Sequence, residues 1–165
     1  MEPMSSTIRP VPPASLRGAS GAVGTVGLVV DPETDSWRLG SVVAELAHAE
    51  LRPQVIGAEA EAVGIGQSAL AETTADQLDA LVLLGAPSDE NGDPDTGLIT
   101  LLLDGFARPC AILALREVAD SLAIAGIDET AAGVEILDEP AQIVPRLADL
   151  LPQRDRWSTR RRGAR

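Results

Sequence analysis

Apolar residues recur along this chain at two spacings. Three uninterrupted runs, TVGLVV at 25–30, DALVLLGAP at 79–87 and PCAILALREV at 109–118, end at charge, glycine or proline. Runs of this length without polar alternation predict strands buried on both faces. From Ser36 the apolar positions change to a helical stripe, Leu39, Val42, Val43 and Leu46, with Asp35 or Ser36 able to cap its start and Pro53 beyond its end near Glu50. A second helix is predicted from about Thr96 to Phe106, capped by Asp95 or Thr96. The weaker patterns give strands at 54–56 and 134–137, a marginal strand at 61–65, and helices at 117–125 and 139–151; QSALAETTADQ reads as connection. This alternation of strand and helix predicts an α/β fold with a mostly parallel central sheet and helices on both faces.

The first 24 residues hold four prolines and three glycines with neither periodicity, and read as a disordered or loosely docked arm. The remainder of the 165-residue chain suits one domain. Its 45% apolar content is almost wholly Ala, Val, Leu and Ile, with one Phe, two Trp and no Tyr, so the core is aliphatic. No run approaches a membrane span, and the first 24 residues lack a basic segment followed by an apolar one, which leads to the expectation of a cytoplasmic protein without a membrane partner. The single cysteine, Cys110, cannot form an intramolecular disulfide.

Charge is unevenly placed. Residues 1–153 carry 24 acidic residues against seven arginines, net −17, whereas residues 154–165 carry six arginines against one aspartate, net +5. An acidic body repels nucleic acid, so the basic end is expected to be a solvated tail or a partner contact. The loop DENGDPD does not have the spacing of a twelve-residue calcium loop. GAVGTVG precedes a strand, whereas a phosphate cradle follows one. Ser36 and Ser88 have no histidine nearby in sequence, and the only histidine, His48, falls late in the first helix as a surface or packing residue. No cofactor, metal site or catalytic set is expected.

The blocks TVGLVVDPETD, ELRPQVIGAEAEAVG, DALVLLGAPSD, PCAILALREVADSLAIAGID and RLADLLPQRDRW, in that order, resemble the C-terminal domain of large-subunit catalases, which is similar to the PfpI-type, type 1 glutamine amidotransferase-like superfamily. The resemblance spans residues 25–157 and implies a flavodoxin-like three-layer sandwich there, with a basic tail over 158–165. The haem-binding catalase core is absent: the chain has no tyrosine to ligate a haem.

Active members of the superfamily place a cysteine nucleophile at the turn after the third of these runs, where the resemblance puts Arg116. An arginine stays protonated and is neither nucleophile nor general base. Cys110 lies six residues earlier, at the opposite end of that strand. The expectation is therefore a non-catalytic domain acting in assembly or with a protein partner. Its vacated site would comprise Asp31, Glu33, Asp35, Gly85, Arg116 and Glu117, with Arg116 either salt-bridged to Asp31, Glu33 or Asp35 or merely filling the pocket. Two alternatives stay open: an anion- or metabolite-binding module using Arg116, and a divergent enzyme using Cys110. Trp157 is expected to pack and residues 158–165 to be mobile. A homodimer is expected from LITLLLDGFA, a helix apolar nearly all round.

Overall fold

The computed structural model describes residues 24–57 and 67–163. Six strands, β1 (Thr25–Val29), β2 (Arg52–Gly57), β3 (Gln67–Ala69), β4 (Ala80–Leu83), β5 (Ala111–Leu115) and β6 (Val134–Leu137), form one sheet in the order β3-β2-β1-β4-β5-β6. Every pairing is parallel. Without the three-residue β3 at its edge, the order is that of a flavodoxin-like sheet. Five helices, α1 (Ser36–His48), α2 (Thr96–Ala107), α3 (Asp120–Ile124), α4 (Ile143–Leu150) and α5 (Arg154–Gly163), complete a three-layer α/β sandwich.

The side-chain period of two divides each strand between two cores. Val26, Leu28, Val82, Leu113 and Leu115 pack with α1 and α4 through Val42, Leu46, Ile143 and Leu147. Val29, Leu81, Leu83, Ile112 and Ala114 pack with α2 and α3 through Leu98, Leu101, Leu102 and Leu122. A strand covered on both sides has no position for a polar residue, hence the unbroken apolar runs. Gly27 is buried in this packing: an added Cβ would stand 2.9 Å from Ile56 and 3.0 Å from Leu78.

Two expectations need correction and two lie largely outside the described residues. The segment QSALAETTADQ is not simply connection: it carries β3 and two short 3-10 turns, at Leu70–Glu72 and Ala75–Gln77. The marginal strand at 61–65 lies outside the described residues, as does the arm at 1–24 apart from Gly24, which is buried. The end of the chain forms α5, so residues 158–163 are not a mobile tail. Trp157 is buried as expected, its Nε1 donating to the Leu150 carbonyl at 2.9 Å.

α5 has almost no apolar face. It lies across the amino ends of the strands and is held there by arginines. Arg154 pairs with Asp79 at 2.8 Å and donates to the Pro109 carbonyl at 2.6 Å. Arg161, only 5% exposed, donates to the carbonyls of Phe106, Arg108, Cys110 and Ala132 at 3.0–3.1 Å and to that of Gly105 at 3.4 Å. Its guanidinium lies 4.5 Å from the Phe106 ring centroid and 4.7 Å from that of Trp157. Gly105, Phe106 and Arg108 lie at the carboxyl terminus of α2, where carbonyls lack helical partners and the macrodipole is negative. Arg161 thus caps a helix 53 residues or more away in sequence. Gly133 makes room for this contact: its φ is +83°, and a Cβ there would fall within 2.6 Å of the Trp157 ring. Among the described residues no helix is long and apolar enough to cross a membrane.

Candidate functional site

In an open parallel sheet the crevice for a ligand lies beyond the carboxyl ends of the strands, where connections leave for opposite faces. That point falls between β1, which leads into α1, and β4, which leads into α2. Asp31 and Gly85 meet there. The Asp31 carboxylate accepts from the Glu33 amide at 2.9 Å and the Thr34 hydroxyl at 3.1 Å through one oxygen, and from the Ala86 amide at 3.0 Å through the other. The Thr34 Oγ1 in turn accepts from the Asp31 amide at 3.0 Å. Gly85 lies flush against this turn, for a Cβ on it would come within 2.8 Å of the Asp31 backbone nitrogen. The Asp31 carboxylate thus ties the connection after β1 to the connection after β4, accepting from backbone N–H groups of both.

The other candidate residues are dispersed. Asp35 caps α1, accepting from the Trp37 amide at 2.9 Å, while Glu33 is exposed. Arg116 opens a 3-10 turn after β5 and bonds through Nε to Asp138, just past β6, at 2.7 Å, with both side chains 66% exposed. The hydrogen bond and charge of Asp138 raise the Arg116 pKa above its ordinary value. The expected partners Asp31, Glu33 and Asp35 are not its neighbours, and being exposed it fills no pocket. Glu117 pairs with Arg38 of α1 at 2.5 Å. Asp31, Glu33 and Gly85 therefore share one turn, while Asp35, Arg116 and Glu117 each bond elsewhere.

Sequence reasoning missed Thr34, Arg38 and Asp138 as partners. Asp138 could have been found by its place: it follows β6 as Arg116 follows β5, and adjacent parallel strands bring such residues together.

Cys110 lies at the amino end of the sheet, fully buried. Burial pushes its thiol pKa up to about 12, outweighing the nearby positive charges of Arg154 and Arg161. A thiol held protonated is a poor nucleophile. A cavity of about 280 Å³ at this end is lined by Asp76, Asp79, Arg108 and Arg154 among others, and its arginines are engaged by Asp104 and Asp79. His48 is exposed on the last turn of α1, beside a shallow groove formed with Ala141, Val144 and Pro145. In the DENGDPD loop the Asp89 carboxylate accepts from the Asn91 and Asp93 amides at 2.8 and 3.0 Å, closing the loop on itself.

The stitch at Asp31 has a measurable consequence. Asp31→Ala removes three accepted hydrogen bonds from a half-buried position and leaves the Ala86 amide without its acceptor. The expected loss is about 2 kcal/mol of stability in urea unfolding, with Asp31→Asn losing less. An unchanged midpoint in the alanine variant would show that the turn holds without its carboxylate. No protein-family model matches this chain, and no curated protein matches it either.

Proposed function

We propose that this chain is a non-catalytic α/β domain of the catalase C-terminal type, acting in assembly or partner interaction. The observation that carries this reading is the state of the elbow: Arg116 stands where a nucleophile would and is a surface ion pair with Asp138, while Asp31 is engaged by the Ala86 amide. The buried Cys110 thiol at the other end of the sheet argues against covalent chemistry. The surface left for function is that of the helices and loops. It includes three exposed large apolar side chains, Trp37, Leu103 and Ile124. α2 buries Leu98, Leu101 and Leu102 but leaves Leu103 47% exposed, which supports contact with a second chain on its outer face.

Light scattering on the purified chain at micromolar concentration is expected to return a mass above the 17.1 kDa of one copy. A single-copy mass at every ionic strength, combined with an inorganic anion such as phosphate that binds the wild type and not Arg116→Ala, would transfer the conclusion to the anion-binding module.

A further inference from the structure

α5 turns Arg154, Trp157 and Arg161 inward, at spacings of three and four residues, so Arg156 and Arg160 form a ridge on its outer side. Both are exposed, and among the described residues neither meets a carboxylate. The opposite end of the sheet carries the complementary charge. Glu33 and Asp35 after β1, and Asp89, Glu90 and Asp93 after β4, are all exposed and unmatched by a cation among the described residues; the arginines at that edge, Arg38 and Arg116, are engaged by Glu117 and Asp138. Beside the first pair stands Trp37, 81% exposed at the start of α1. The molecule already stacks one arginine, Arg161, on a tryptophan.

Resting on the assembly reading above, we propose that α5 of one copy docks through Arg156 and Arg160 on the acidic carboxyl edge of a second copy, with Trp37 as the aromatic surface under an arginine. The two charged surfaces cannot meet within one chain. Strands of four to six residues at about 3.3 Å per residue hold them about 13–20 Å apart, beyond the roughly 8 Å screening length at physiological salt. Arg154 and Arg161 fasten α5 to its own amino edge, so it cannot swing round. Complementary charge on opposite ends of a rigid body is satisfied head to tail, and such an interface is heterologous, building rings or open chains. A nucleic acid is the less favoured occupant because the chain is net −12 and the ridge offers few phosphate contacts.

The test uses two double variants in the full chain, Arg156→Glu with Arg160→Glu, and Glu33→Arg with Glu90→Arg, checked for fold by circular dichroism. Light scattering of the wild type at low salt is expected to give more than one copy, falling to 17.1 kDa as salt rises toward about 0.5 M. Trp37→Ala should weaken this association. Each double variant alone should stay a single copy, and mixing them should form a heterodimer of one each, because the first retains an acidic edge and the second a basic ridge. Association that ignores salt and both variants would overturn this contact while leaving assembly standing. A single copy under all conditions would overturn both. Duplex DNA bound by a monomeric wild type and not by the Arg156 and Arg160 variant would assign the ridge to nucleic acid instead.

Discussion

Arg161→Ala is expected to lower the unfolding free energy by about 3 kcal/mol, a large share of the 5–15 kcal/mol typical of a single domain. The guanidinium serves five carbonyls at once, and alanine leaves them facing a cavity between Phe106 and Trp157. Three of those carbonyls belong to the end of α2, so the loss spreads from α5 into the layer that covers β4 and β5. Arg161→Lys should recover little, because an ammonium has three donors and no planar fork with which to span Ala132 and the end of α2 together. Burial pulls the Arg161 pKa down to about 10, still well above neutrality, so the carbonyl dipoles hold a charged group at physiological pH. Urea unfolding of the three proteins measures the effect. A loss below about 1 kcal/mol for the alanine variant would mean that Trp157 and Arg154 dock α5 unaided.

The same contact explains where the sequence was opaque. β1, β4 and β5 were legible because burial on both faces leaves an apolar run with no alternation, and the α/β alternation then dictates a parallel sheet. α5 was illegible because no apolar period marks it. RDRWSTRRRGAR reads as a solvated end until the carbonyls of Phe106, Arg108 and Ala132 converge on one of its arginines, and that convergence depends on three distant connections. β3 was missed for a different reason: three residues paired only to β2 leave no pattern long enough to distinguish from a loop.

The candidate site was legible in its parts and not in its partnerships. Its residues were placed at the carboxyl edge from strand boundaries alone, and the structure puts Asp31, Glu33, Asp35, Gly85, Arg116 and Glu117 there. Which of them touch is decided by sheet order, which the sequence expresses only indirectly. Because β6 lies beside β5, Arg116 reaches Asp138; because β4 lies beside β1, Asp31 reaches Ala86. The position of Cys110 at the start of its strand was readable, and its chemistry follows from that place.

Wild-type stability is expected to fall through the alkaline range in a way that Cys110→Ala does not share. The thiol has an ordinary value of 9.0 and is pushed up to about 12 in the fold, so the folded state prefers the protonated form. Its contribution is fully present below pH 9.0 and is lost as pH rises toward 12, because the unfolded chain ionises first and gains free energy from doing so. The full loss is about 4 kcal/mol. With no tyrosine and no lysine, few other side chains titrate in this window. Arg161 acts with the opposite sign: its folded value of about 10 lies below the ordinary 12.5, so any proton it released on the folded side between those limits would raise stability with pH. The readout is therefore the difference between wild type and Cys110→Ala, measured by urea unfolding from pH 8 to pH 11, where the buried arginine is common to both. The alanine variant starts lower by the constant cost of a small cavity, and the gap should narrow steadily above pH 9.0. Iodoacetamide follows the same thiol: native labelling should stay slow at neutral pH, because the thiol is buried and held protonated. A gap that stays constant across the range, with stoichiometric labelling of the wild type within minutes at neutral pH, would mean that the thiol ionises in the native fold and would reopen the enzymatic reading.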